Sequence, residues 1–192
     1  MRPLETQRQV RYTIPKPMTS LRGWLGLDAR PAAESGPLRE VVDALDRLDE
    51  ARARYLARFA YLLGRVAHAD RHVTLEETTA METLLMQEGA LTADQAVLVI
   101  SLAKTSNLLF GGTADFAVTQ EFADTAAYDE KLALVRCLFA VSSIDHAISM
   151  AEETEIHKIA NQLRIEPSDL TALRMAHRQY LPGLASSTGR RS

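Results

Sequence analysis

Asp70-Arg-His-Val73-Thr74-Leu-Glu-Glu77 and Asp145-His-Ala-Ile148-Ser149-Met-Ala-Glu152 carry one pattern written twice, 75 residues apart. In each copy an aspartate is followed at +3 by a β-branched apolar residue, at +4 by a hydroxyl and at +7 by a glutamate. The apolar stretches upstream, Leu63 to Ala69 and Leu138 to Ile144, keep the same offset. Four positions in register, flanked by apolar stretches, point to an internal duplication that sets two acidic turns in one small domain.

Outward from these turns the chain beyond Pro37 reads as helix. Leu38 to Ala69 is a long helical stretch that can break near Asp49, and Leu56, Phe59, Leu63 and Val66 recur along it at steps of three and four, a stripe facing a core. Glu76 to Glu88 follows, closed by Gly89 where a left-handed residue is favoured. Thr92 to Phe110 is opened by Thr92-Ala-Asp-Gln95 and stopped by Gly111-Gly112, and a shorter helix covers Ala114 to Thr125. Asp129 to Ile144, with Leu132, Val135, Leu138 and Phe139 on its stripe, matches the helix before the first turn. Ala151 to Leu163 matches the helix after it, and Pro167 to Tyr180 begins with proline at a first-turn position. No segment alternates as a strand would. The expected fold is all-α, about seven helices in two pseudo-symmetric repeats over residues 37–183.

Residues 1–36 hold Pro3, Pro15, Pro17 and Pro31 with Gly23, Gly26 and Gly36, and carry six Lys/Arg against three Asp/Glu. They read as a flexible basic arm, and residues 184–192 as a disordered tail. Within the arm, Leu21, Trp24 and Leu25 have the spacing of one helical turn; this island can fold back on the domain, or dock on a partner or a membrane surface. The domain itself is acidic, which argues against a nucleic-acid-binding core and favours cations or basic protein surfaces as partners. No apolar run approaches the ~20 residues of a membrane span. The lone cysteine, Cys137, sits among Leu134, Val135 and Leu138 and reads as a small core residue, compatible with a reducing cytoplasm.

Thr74-x-x-Glu77 and Ser149-x-x-Glu152 are capping boxes, in which hydroxyl and carboxylate each take an amide of the new helix. Val73 and Ile148 have no apolar partner at Thr78 and Glu153, so they are expected to plug the core beneath the turns. The aspartates fall at the C-terminal end of a helix, where the dipole disfavours an anion. Two explanations stand: Asp70 and Asp145 accept amides of the following turn, or they hold a cation together with carbonyl oxygens. The spacing is not that of an EF-hand loop, and no zinc-type cysteine pair, His-Glu-x-x-His, glycine-rich phosphate loop or nucleophilic serine motif occurs. Nothing argues for catalysis.

The repeated Asp-x-x-φ-Ser/Thr-x-x-Glu turn, together with Ala69-Asp70 and Leu91-Thr92-Ala93-Asp94-Gln95, resembles the TerB-like tellurite-resistance family over roughly Ala57 to His177. The resemblance implies an all-helical domain with pseudo-twofold symmetry and an acidic cluster with which metal binding is associated. Related domains accompany J-domains in membrane-anchored co-chaperones and occur in bacterial stress and defence gene clusters. Carried over, the metal ligands are Asp70, Glu77, Asp145 and Glu152, for calcium or magnesium. The family usually has glycine directly after the aspartate, where this chain has Arg71 and His146. Arg71 puts a positive charge beside Asp70 and opposes a cation there.

The expected function is a non-enzymatic, bacterial, cytoplasmic stress-response module of the tellurite-resistance type. Its paired acidic turns would bind a divalent cation or a basic protein partner. The alternative is a metal-free interaction adaptor in which the arm carries recognition. Because the arm's composition lets it bury little surface, a chain lacking residues 1–36 is expected to melt at nearly the same temperature as the full chain in scanning calorimetry. A large drop would mean that the Leu21–Leu27 island packs into the domain.

Overall fold

The computed structural model describes residues 37–67, 75–109 and 115–181. The arm over 1–36, with Leu21, Trp24 and Leu25, lies outside the described residues, as do Asp70 and the tail over 184–192. Eight α-helices and one 3-10 turn form the regular structure of the described residues, and there is no strand among them: α1 Pro37–Leu45, α2 Glu50–Ala67, α3 Leu75–Glu88, α4 Ala93–Leu109, α5 Asp115–Thr125, α6 Tyr128–Ser142, α7 Met150–Gln162, α8 Pro167–Ala176 and the 3-10 turn Arg178–Tyr180. The fold is all-α as the periodicity predicts, with eight helices in place of about seven. Asp49 is the reason for the extra one. Its carboxylate accepts the Arg52 amide at 2.9 Å and its carbonyl accepts the Ala53 amide at 2.9 Å, so it stops the preceding segment and caps α2.

The core is built around α2. Eleven of its 18 residues are buried, Leu56, Phe59, Leu63 and Val66 among them, and it packs against α4, α5, α6 and α7. Burial on nearly all sides is the mark of a central helix. Its C-terminal half carries one charged exception, Arg65. The guanidinium is almost enclosed and bonds to both Glu155 on α7, with Nε at 2.9 Å from Oε1, and Thr119 on α5, with Nη1 at 2.8 Å from Oγ1.

α2 is described up to Ala67 and α3 from Leu75, with 68–74 outside the described residues; α6 ends at Ser142 and α7 begins at Met150. After α3 and α7 one backbone feature recurs at an offset of 74. Ala90, with φ 51°, follows α3 at the place where Arg164, with φ 61°, follows α7. Each precedes a buried apolar residue, Leu91 or Ile165. At the end of α7 the Arg164 amide donates to Asn161 O at 3.1 Å and the Ile165 amide to Ala160 O at 3.0 Å, the two bonds of a Schellman cap. The left-handed residue after α3 is thus Ala90 and not Gly89. Gly89 is small for another reason: a Cβ there would lie 2.7 Å from Leu85 O and 3.0 Å from Cys137 Sγ. Cys137 is the core residue its neighbours predict, and burial pushes its thiol up to about 12, with Glu88 adding to the shift.

Removing one partner of a buried charge leaves the other desolvated and unpaired. Glu155→Ala is therefore expected to cost about 3 kcal/mol in urea denaturation, whereas Glu155→Gln, which keeps an acceptor for Arg65, costs clearly less. Equal losses would show that Arg65 is solvated rather than held.

Candidate functional site

The second acidic turn begins where α6 runs out of amide partners. Ser143 is the C-cap, with φ −88° and ψ −2°, and its hydroxyl donates to Ala140 O at 2.7 Å. The His146 amide then donates to Ser143 O at 3.0 Å, closing a four-residue turn. Asp145 is the third residue of that turn and is exposed. It lies past the C-cap rather than in the helix, so the dipole penalty, which falls off within the last turn, is smaller than the sequence suggests. His146 has φ 61°, a left-handed conformation. This accounts for the glycine expected after the aspartate: the turn needs a left-handed residue there, and histidine occupies it at some conformational cost.

Ile148 and Ser149 return the chain to helix. Ile148 is buried beneath the turn, as its lack of a staple partner predicts, and its amide donates to Tyr180 O at 2.7 Å. That acceptor exists because the last helix is shorter than expected. It ends at Ala176, and His177 leads into the 3-10 turn that presents the Tyr180 carbonyl. The His177 ring stacks on Phe139 at 5.7 Å, and the His146 ring lies 6.2 Å from that of Tyr180. The C-terminal segment thereby clasps the acidic turn from below.

Ser149 and Glu152 form the capping box read from the sequence. The Glu152 amide donates to Ser149 Oγ at 3.2 Å and the Ser149 amide to Glu152 Oε2 at 2.8 Å. Glu152 is only 7% exposed, so this carboxylate is part of the helix start. The next residue, Glu153, accepts from Arg174 Nε at 2.6 Å, tying α7 to α8. In the first copy Glu77 lies in the first described turn of α3, but its side chain lies outside the described residues, as does Asp70. Among the described residues no group of three or more His, Cys, Asp or Glu side chains could hold a metal ion.

Sequence reasoning passed over a second concave feature. Arg52, Arg54 and Arg58 line a cleft at the N-terminal end of α2. The available signal was Arg58, a charge inside the apolar run Leu56 to Leu63.

The chain matches the family model described as tellurite resistance protein TerB over residues 56–175, from within α2 to within α8. No curated protein and no solved structure matches significantly. None of the described helices is long and apolar enough to cross a membrane.

The site geometry yields two stability expectations. Ser149→Ala removes one half of the capping box and should lower the unfolding free energy by about 1 kcal/mol. His146→Val places a β-branched residue at positive φ and should cost about 1–2 kcal/mol, with His146→Gly tolerated. Urea denaturation of the three variants decides both, and a harmless valine would contradict the left-handed turn.

Proposed function

The chain belongs to the TerB tellurite-resistance family, and on that premise we propose that it is a non-enzymatic, cytoplasmic stress-response module that works by binding. Its acidic turns are docking points for a basic protein surface. The observation that carries this is the division of labour between the two carboxylates of the second turn. Glu152 is buried and has Oε2 on the Ser149 amide, while Asp145 is exposed. Calcium takes six to eight oxygen ligands and magnesium a near-ideal octahedron. A turn with one exposed carboxylate suits a single ammonium or guanidinium better. Catalysis has no support in the lone cysteine either, whose buried thiol resists ionisation.

A second reading, the divalent cation, is favoured by the duplication. If both turns act together, Asp70, Glu77, Asp145 and Glu152 would hold calcium or magnesium. The two readings separate in one set of measurements on the full chain. For the basic surface, calorimetric titration with an arginine-rich peptide shows salt-sensitive binding that Asp145→Asn weakens several-fold, and neither cation moves the unfolding transition. Binding unchanged in Asp145→Asn overturns it. For the cation, calcium or magnesium adds ~2.7 kcal/mol to stability at 100 times the dissociation constant, and Asp145→Asn abolishes that gain.

A further inference from the structure

We propose that the cleft at the N-terminal end of α2 binds a small organic anion, held through a carboxylate or phosphoryl group. The cleft has a volume of about 590 Å³, within the range of small-molecule sites. Arg52, Arg54, Tyr55 and Arg58 project from about half of the α2 circumference, and the last turn of α5 and the first turn of α6 supply the facing wall, with Glu121, Thr125 and Glu130. Arg58 is the one fully buried residue of the lining, 6% exposed, and so forms its floor.

Donors outnumber acceptors here. Each guanidinium has five N–H groups. Arg52 Nη2 donates to Gln95 Oε1 at 2.6 Å and Arg54 Nη2 to Glu50 Oε1 at 2.6 Å. Arg58 Nη1 donates to Thr125 Oγ1 at 3.1 Å and Nη2 pairs with Glu121 at 3.2 Å, while its Nε is enclosed with no hydrogen-bond partner. An orphaned donor on a buried cation is costly and calls for an acceptor. The lining carboxylates are already engaged: Asp49 caps α2, Glu130 accepts the Ala127 amide at 2.8 Å, and Glu121 holds Arg58. Tyr55 adds a donor that stays protonated, because burial, and then the nearby Glu130, raise its pKa.

The rest of the lining suits carbon rather than a bare ion. The Tyr55 ring stacks on Phe122 at 5.5 Å with the Arg52 guanidinium 4.9 Å above its face, and Ala51 and Ala126 flank it. The cleft is at the opposite end of α6 from the acidic turn, about 22 Å away along the helix, so it is independent of the function proposed above.

The test uses the full chain with inorganic phosphate and with acetate, each against sodium chloride at matched ionic strength. At least one oxyanion raises the unfolding midpoint saturably beyond chloride. Phosphate alone points to a phosphoryl ligand, acetate alone to a carboxylate, and both to either group. Arg54→Gln weakens that binding about tenfold, read as the anion-induced shift from the variant's own anion-free midpoint. Glu121→Gln, at a side chain 44% exposed, removes the charge that competes for Arg58 and tightens it. Anion effects no larger than those of chloride, or wild-type affinity in Arg54→Gln, overturn the proposal.

Discussion

Arg65 carries the constraint on which the helix arrangement depends. A guanidinium so nearly enclosed must be paired, since leaving it alone would cost several kcal/mol. Its partners come from two other helices, Thr119 on α5 and Glu155 on α7. Apolar stripes alone allow neighbouring helices to slide and rotate at modest cost; a buried charge with directional bonds does not. Fixing Glu155 fixes the second turn of α7, hence Ser149 and Glu152 at its start, hence the acidic turn. Arg58, seven residues earlier on α2, holds α5 in the same manner through Glu121 and Thr125. The two arginines form a short polar seam in an otherwise apolar core.

One backbone feature recurs in the two halves of the domain. Ala90 after α3 and Arg164 after α7 are both left-handed, 74 residues apart. The sequence pattern of the acidic turns is offset by 75, one residue more. Capping and turn chemistry are short-range, so they survive such a shift unchanged. The residue identities drift more freely: alanine and arginine share the one left-handed position, and both accept its conformational cost where glycine would not incur it.

What was legible in the sequence was what depends on near neighbours. Period-3.6 stripes named the helices, Ser149-x-x-Glu152 named its cap, and Ile148 was placed in the core because it had no staple partner. Asp49 was legible as a break but not as the cap that splits one helix into two. The clasp over the acidic turn was not legible, because Ile148 and Tyr180 meet through backbone atoms 32 positions apart, and a backbone bond leaves no mark on residue type. The role of Gly89 was misassigned for a related reason: its smallness answers to the Leu85 carbonyl and to Cys137 across the core, not to its own φ. Of the candidate site, the positions of Asp145 and Glu152 were readable, but not that burial would commit Glu152 to structure.

The electrostatics of the helices give the domain a direction. α6 runs from the arginine cleft to the acidic turn, and α2 starts beside the same cleft. Helix N-termini present free amides and a partial positive charge, and C-termini present free carbonyls and a partial negative charge. At the cleft the backbone dipoles of α2 and α6 and the three arginines act in the same sense, which favours an anion there. At the far end of α6, the exposed Asp145 sets a negative charge just past a terminus whose dipole is negative. Both favour a cationic group at that end. The proposed basic partner surface and the proposed anion thus lie at opposite ends of α6: the cleft end sets the arginines of α2 beside two helix N-termini, with Asp129 and Glu130 in the first turn of α6 itself, and the far end sets Asp145 beside a helix C-terminus.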